Sequence, residues 1–347
     1  MNVKNYNSLV SPFNQSKILI HWNDLEEIAK SKIIRPVMCE IDLTDGFCNN
    51  KCKHCFYGTD QKHTPIYMSV ETAEKLLDEL HELGVKAIEF SGGGEPTTHP
   101  HFLEIVLYAL SLGFEVGVVT NGLLINKIGE IACKLKFIRI SLDAASEDVY
   151  KKVHGVDAFE KVINNVRLLI NNKCSNIGLA YLIVPENISD ITKVYDLACE
   201  LGVSYLQYRP ASLTYSVDNT LWCEARHCVE QIMKTNAITN AIQVFSAGIK
   251  WDHLKGERQY KKCTTSTMVS VVQANGDIPL CVLLRNQKQY IIGNIHDGGF
   301  ATNWFSKRHL ELINNKDVNK CRKPCKHDSY NIMYEAYAQD YLHRNFI

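Results

Sequence analysis

The sequence predicts an α/β fold: a partial parallel (β/α)6 barrel followed by a small β-hairpin-plus-helix domain. Three observations carry that reading. Strand-like and helix-like segments alternate from residue 36 to residue 235. Stretches rich in Cys, Gly and Asn fall at the C-terminal ends of the strand-like segments, where such folds keep their chemistry. Beyond the alternating region, a second set of cysteines is spaced around an Asn-Gly pair. The expected organisation is an N-terminal extension over 1–35, the barrel over 36–240, the small domain over 255–328 and a helix or tail over 329–347.

The elements follow in order. Residues 36–43 alternate apolar and polar side chains like a strand. Ser69 reads as the N-cap of a helix whose stripe of Ala73, Leu76, Leu77, Leu80 and Leu83 stops at Gly84. Residues 87–90 read as the next strand, 99–112 as a helix and 114–119 as a strand. The pattern continues with a helix near 124–135, a strand over 137–142, a helix over 158–171, a strand over 177–184, a helix over 187–201 and a strand over 205–208. Helical periodicity returns over 221–235. Strict alternation with right-handed crossovers implies a parallel sheet, and six units rather than eight favour an open barrel.

Composition excludes several function classes. The chain has 347 residues, 46% apolar and 22% charged, which suits a large α/β unit plus something smaller. Lys+Arg and Asp+Glu balance at 38 each, so no global field favours nucleic acid or an anionic membrane. The first residues hold no uninterrupted apolar stretch of a signal peptide, and no run of about 18 apolar residues exists to span a membrane. The expected location is cytoplasmic.

Thirteen cysteines is a high count, and an odd one without an export signal argues against a disulfide framework. Metal or cluster ligation is the better default. Cys48-Asn-Asn-Lys-Cys52-Lys-His-Cys55 follows the first strand. Three thiolates on one loop hold three irons of a cubane iron–sulfur cluster and leave the fourth for a small molecule. Zinc is the competing reading, although its sites normally take cysteines in two pairs. After the second strand comes Ser91-Gly92-Gly93-Gly94-Glu95-Pro96, where the glycines let the backbone approach a ligand closely and Glu95 offers a carboxylate to an ammonium group. Taken alone, the glycine run is a tight turn.

The cysteine trio and the glycine run, each at its own strand end, resemble the radical SAM superfamily over about residues 36–210. The resemblance implies a [4Fe-4S] cluster on Cys48, Cys52 and Cys55 whose open iron chelates S-adenosylmethionine (SAM). It also implies that Gly92, Gly93, Gly94 and Glu95 grip the methionine amino group and that His54 packs on the adenine. Asn121 in Thr120-Asn121-Gly122, with Ser141 and Asp143, would contact the SAM carboxylate and ribose. Asn187 and Arg209 would face the same cavity, Arg209 as a carboxylate clamp for SAM or substrate. Read without the family, His54 is an exposed loop histidine, the strand-end polar residues are helix caps and Arg209 is a structural ion-pair partner. The implied chemistry is reductive cleavage of SAM to a 5′-deoxyadenosyl radical, which abstracts a substrate hydrogen. The electron would come from a donor such as flavodoxin or ferredoxin.

Downstream, Cys263 and Cys281 flank two β-rich runs around Asn275-Gly276, a strong hairpin turn signal that would bring the two cysteines together. Cys321-Arg-Lys-Pro-Cys325 completes a set of four. It resembles the Twitch or SPASM extension of radical SAM enzymes over about residues 255–328, which implies one auxiliary [4Fe-4S] cluster acting as an electron acceptor or source. Four-cysteine zinc is the alternative.

Of the remaining cysteines, Cys39, Cys133 and Cys199 read as core residues. Cys223 and Cys228 follow the sixth strand and are candidate hydrogen-atom donors to a substrate radical, which would make the product an epimer; without a donor the outcome is net oxidation. The segment before Pro36 is short for a leader-recognition domain, and residues 16–27 resemble the N-terminal extension of carbohydrate-acting members. The expected substrate is therefore a sugar, aminocyclitol or similar small molecule, with a ribosomally made peptide as the alternative. A non-catalytic iron–sulfur or zinc protein is the reading from another class.

Overall fold

The computed structural model of the chain describes residues 15–55, 65–174, 176–211, 219–239, 241–246, 248–252, 254, 257–285 and 287–338. The strands are β1 (Met38–Ile41), β2 (Thr44–Asp45), β3 (Ile66–Tyr67), β4 (Ala87–Phe90), β5 (Glu115–Thr120), β6 (Phe137–Ser141), β7 (Ile177–Ile183), β8 (Tyr205–Pro210), β9 (Gln243–Ser246), β10 (Val269–Val272), β11 (Asp277–Pro279) and β12 (Ile291–Asn294). The helices are α1 (Trp22–Ala29), α2 (Val70–Glu82), α3 (Phe102–Ser111), α4 (Glu147–His154), α5 (Phe159–Asn171), α6 (Ile191–Leu201), α7 (Asn219–Thr239), α8 (Gly248–Asp252), α9 (Gly299–Trp304), α10 (Lys307–Asn315) and α11 (Asp328–Ala338).

The main sheet is parallel throughout and runs β10-β1-β4-β5-β6-β7-β8-β9. The six expected strands stand at its centre in sequence order, as right-handed β/α units require. Two further strands extend it: β9 beside β8 and β10 beside β1. Outward-facing residues such as Ile41, Ile88, Phe90, Val116, Val118, Ile138, Ile140, Leu179 and Leu206 join the helices in one apolar core. Helix α2 is built as its sequence reads: Ser69 Oγ accepts the Thr72 N–H at 3.1 Å, Ala73, Leu76, Leu77 and Leu80 are buried, and Gly84 follows at φ 79°.

The local structure departs from expectation at three places. No α-helix forms over 124–135; two short 3₁₀ segments, Ile125–Lys127 and Gly129–Lys134, take its place. Gly129, with φ 51°, interrupts the helical run. Helix α4 was not expected, although Ser146 before Glu147 and Asp148, then Lys151, Lys152, His154 and Gly155, is a charge pattern matched to a helix dipole and a glycine stop. The hairpin around Asn275-Gly276 is also corrected. The turn exists, with Gly276 N–H donating to Gln273 O at 2.8 Å, but the two runs enter different sheets. β10 pairs with β1, and β11 pairs antiparallel with β12, because the β1 edge offers the apolar Val271 and Val272 a buried position.

The N-terminal segment packs Ile18, Leu25, Ile28 and Ile34 against Met268 and Tyr334 of the C-terminal part. Residues 339–347 of the expected tail lie outside the described residues. Among the described residues no helix is long and apolar enough to cross a membrane.

One buried residue of this framework gives a pH prediction. His309 of α10 is fully buried, its Nδ1 donating to Trp304 O at 2.7 Å, and burial holds its pKa down at about 4. The unfolded chain takes up that proton near pH 6.5, so the folded state keeps this stability above pH 6.5 and loses it as pH falls toward 4. The limit is about 3 kcal/mol. Thermal unfolding from pH 7 to pH 4.5 should show a shallower fall for His309→Gln than for the wild type; parallel curves would refute the assignment.

Candidate active site

The cysteine loop follows β1 and is gripped from two sides. On one side is the glycine run after β4. Gly46 N–H donates to Gly93 O at 2.9 Å and Glu95 N–H to Phe47 O at 2.8 Å. A Cβ on Gly93 would lie 1.9 Å from Thr44 O, and one on Gly94 2.1 Å from Phe47 O. The close approach that needs these glycines is therefore to the chain's own loop, which revises the expectation that they make room for a ligand. On the other side is the end of α4, where Lys51 N–H donates to His154 O at 2.8 Å and a Cβ on Gly155 would lie 2.7 Å from Lys51 O. The Phe47 ring stacks on Tyr67 at 4.0 Å.

The three thiols of the loop act on one another electrostatically. Burial pushes Cys48 up to about 11 and Cys52 higher still, with Cys55 adding to both. The donor set fits an iron–sulfur cluster, whose assembly must displace those protons. Among the described residues, no group of three or more His, Cys, Asp or Glu gathers as the shell of a single metal ion. His154 was missed by sequence reasoning for the same reason as its helix. Its Nδ1 lies 3.1 Å from Cys52 Sγ and 3.3 Å from Asn50 Nδ2, while Nε2 lies 2.9 Å from Leu142 O. With Nε2–H donating to that carbonyl, Nδ1 is the acceptor beside the cysteine.

The strand-end residues divide into those that face the loop and those that brace it. Glu95 is buried, and burial raises its pKa. Its Oε1 accepts from Thr97 N at 3.1 Å and from the hydroxyls of Thr97 at 2.5 Å and Thr120 at 2.6 Å; among the described residues, Oε2 accepts only Asn121 N–H, at 2.7 Å. Asn121 Nδ2 reaches Asn49 Oδ1 at 2.5 Å and Cys48 Sγ at 3.9 Å, tying the end of β5 to the cysteine loop. Asp143, two residues beyond β6, lies in the left-handed region at φ 52°, a strained conformation for a non-glycine residue. Its Oδ1 accepts Leu182 N–H at 2.5 Å, and Oδ2 lies 3.5 Å from His154 Nε2 and 3.8 Å from His54 Nε2. His54 is thereby largely enclosed rather than a solvent-exposed loop residue, and Ser141 is half-buried one strand level below Asp143.

Asn187 is the clearest correction in this region. It is fully buried, with Nδ2 donating to Asp143 O and Leu182 O at 2.9 Å each and Oδ1 accepting Val184 N–H at 2.9 Å. Its side chain is used within the protein, so it positions Asp143 and does not face a ligand. Asn187→Ala should cost about 1–3 kcal/mol through stranded backbone groups. It should also weaken SAM binding, read by calorimetry; an unchanged melting temperature would refute the brace. Arg209 makes no ion pair among the described residues.

The downstream cysteines lie around a second bracing network. Cys263 and Cys325 act electrostatically on Cys281, as does Cys321, and burial raises all three shifted thiols, Cys325 to about 12. Arg258, missed by sequence reasoning, organises the set. Its Nε donates to Asp328 at 2.9 Å, and its other nitrogens donate to the carbonyls of Val318, Cys321 and Arg322. Asp328 in turn accepts Tyr260 O–H at 2.6 Å and Cys325 N–H at 3.0 Å. Burial opposes its charge, but the bonds from Tyr260 and Arg258 win and hold its pKa low. Asn331 Nδ2 donates to Cys263 Sγ at 3.3 Å.

The radical SAM superfamily model matches residues 44–198, and an iron–sulfur cluster-binding domain model, SPASM, matches residues 263–327. The chain belongs to the radical SAM superfamily. It carries a SPASM domain, so its cofactors are SAM with a [4Fe-4S] cluster and an auxiliary iron–sulfur cluster. Among curated relatives, the mycofactocin maturase MftC of Mycolicibacterium smegmatis is 27% identical over 294 residues, 80% of this chain and 71% of that protein. A probable GTP 3′,8-cyclase of Saccharolobus solfataricus is 32% identical over 170 residues, 47% of this chain and 53% of that protein. The fold is that of Streptococcus suis SuiB bound to SAM, with TM-score 0.67, 17% identity and coverage of 86% and 73% of the two chains. It is likewise that of anSMEcpe with bound AdoMet, with TM-score 0.63, 19% identity and coverage of 80% and 83%.

One expectation about the spare cysteines of this radical SAM chain is corrected. Cys223 and Cys228 are exposed on α7, whose other face buries Trp222, Ala225, Val229 and Ile232. The helix packs against α6 and β9, and both thiols lie on its exposed side. Cys133 is exposed rather than a core residue and forms a disulfide with Cys174. Cys39 is fully buried, as expected.

Proposed function

We propose that this chain is a radical SAM maturase of a ribosomally made peptide. The observation that carries the proposal is the likeness to MftC across 80% of the chain. A solved relative of the same fold is SuiB bound to its precursor peptide SuiA, with TM-score 0.68. The earlier expectation of a sugar-like substrate has no comparable support, since the likeness to the cyclase covers less than half of the chain.

In this reading, Cys48, Cys52 and Cys55 hold the [4Fe-4S] cluster. Oε2 of Glu95, the Ser141 hydroxyl and the imidazole of His54 line the SAM site, and Asn121 fixes its loop. Asp143 is oriented by Asn187 and Leu182. Cys263, Cys281, Cys321 and Cys325 hold the auxiliary cluster. When bound, SAM and its cluster supply a 5′-deoxyadenosyl radical that takes a hydrogen atom from the substrate. The protein keeps water from that centre and positions the substrate carbon. With Cys223 and Cys228 on the outer surface, the reading favours net oxidation or bond formation over thiol-quenched epimerisation. A small flavodoxin- or ferredoxin-type protein would deliver the electron.

Anaerobic reconstitution with iron and sulfide, then SAM and dithionite, tests the enzyme reading. 5′-Deoxyadenosine should form. Its absence would leave only a non-catalytic cluster or zinc protein. Incubation with short peptides encoded beside the gene should then change peptide mass, whereas turnover of sugars alone would reverse the substrate assignment.

A further inference from the structure

The interior of the barrel gathers arginines that form no ion pair among the described residues. Ile138 and Ile140 of β6 pack outward into the core, so Phe137, Arg139 and Ser141 face inward; on β8, Leu206 and Tyr208 pack outward and leave Tyr205, Gln207 and Arg209 inside. The register sets their heights: Arg139 stands opposite Gly178 and Tyr205, Gln207 opposite Ala180, and Arg209 opposite Leu182 near the strand ends. Arg139 Nε, Arg209 Nε and Gln207 Oε1 are buried without a hydrogen-bond partner among the described residues, and neither arginine has an ion pair there.

A third cation joins them. Lys250 of α8 lies within electrostatic reach of both arginines, and burial followed by those two charges brings its pKa down to about 7. Burial and Arg139 likewise lower Arg209 to about 10. The carboxylates that act on Arg209 are Asp143, already held by Leu182 N–H, and Glu89. Arg139, Arg209 and Lys250 nevertheless keep some accessible surface. Crowded, enclosed and unpaired cations are costly unless a ligand supplies the opposite charge.

We propose that the barrel interior binds a carboxylate of the substrate between Arg139 and Arg209, with Lys250 as the third positive group and Gln207 beside them. Guanidinium groups suit this ligand because their paired N–H bonds match the two carboxylate oxygens. On the peptide reading above, on which the ligand class rests, the group is the chain's C-terminal carboxylate or an acidic side chain. Asp143, on the SAM side, acts electrostatically on Arg209, and the Cys325 thiol acts on Lys250. The site would hold the reacting residue in register between the two cofactors.

The test uses the reconstituted protein without turnover, so its outcome is independent of the peptide-maturation assay. N-acetylglycine, its neutral counterpart N-acetylglycinamide and N-acetylglutamate α-amide are compared by thermal shift at matched ionic strength. N-acetylglycine or N-acetylglutamate α-amide should raise the melting temperature by about 2 °C at roughly tenfold Kd. The amide should not. The carboxylate giving the larger shift names the source. Arg139→Gln and Arg209→Gln should each abolish the shift, and the exposed Arg167→Gln should keep it. The shift should persist with saturating SAM. No wild-type shift, an equal shift with the amide, retention in both barrel variants, or loss in the presence of SAM, which would give the site to the cofactor's own carboxylate, each overturns the proposal.

Discussion

Cys52→Ala is expected to reduce 5′-deoxyadenosine formation to background while the barrel stays folded. The residue lies on a loop held by backbone bonds to Gly93 and His154 rather than by its own side chain, so removing the thiol leaves the loop in place. Two thiolates then face a group that takes three, and the buried neighbour His154 loses its 3.1 Å contact but keeps its bond to Asn50 and gains no stranded charge. The prediction is a split result: a far-ultraviolet dichroism spectrum like the wild type, the visible absorbance of one cluster instead of two, and no SAM cleavage. Retained cleavage would remove Cys52 from the ligand set. A collapsed spectrum would mean that the thiol has a structural role the geometry does not show.

Arg258→Met should be the most destabilising single change in the C-terminal region. The Arg258 and Asp328 side chains are each 2% exposed and 2.9 Å apart. Removing one partner of such a pair costs about 3–5 kcal/mol, because the other charge stays buried and unpaired. Three carbonyls around Cys321 also lose their donor. The melting temperature should fall by about 4–7 °C. Iron content should drop toward that of a single cluster, with SAM cleavage by the first site surviving. The double variant Arg258→Met/Asp328→Leu should recover part of the stability, since no lone charge remains. Equal stability of the single variant and the wild type would refute the pairing argument.

Much of this architecture was legible in the sequence, for a physical reason. Strands covered on both faces show apolar alternation or runs, and helices show their stripe, so β4 through β8 and α2 could be placed from local pattern alone. The cysteine sets were legible because a ligand-bearing loop concentrates one residue type. The unread parts are non-local. Nothing near residue 269 says that its strand will lie beside residue 38, and that pairing, rather than the Asn275-Gly276 turn, decides where β10 goes. Asn187 looked like a cavity residue because it follows a strand; only the position of Asp143 shows that its amide is already occupied. The Cys133–Cys174 bridge carried a signal that could have been used. Each cysteine lies just ahead of a strand, and those two strands, β6 and β7, are neighbours in register, which sets the cysteines side by side at the N-terminal end of the barrel. Counting thiols for a compartment obscured where the sheet would put them.

The grip on the cysteine loop has a consequence for how the protein acquires iron. Gly93 and Gly94 on one flank and Gly155 on the other lie so close to the loop's own carbonyls that no other residue fits without moving them. The loop's shape is thus set by the polypeptide before any metal arrives. Chelation should then strip the first centre without unfolding its surroundings, and iron with sulfide should refill it quickly and repeatedly. Loading would resemble charging a socket rather than nucleating a fold, so damage to this centre by oxygen would be a repairable event in the life of the chain.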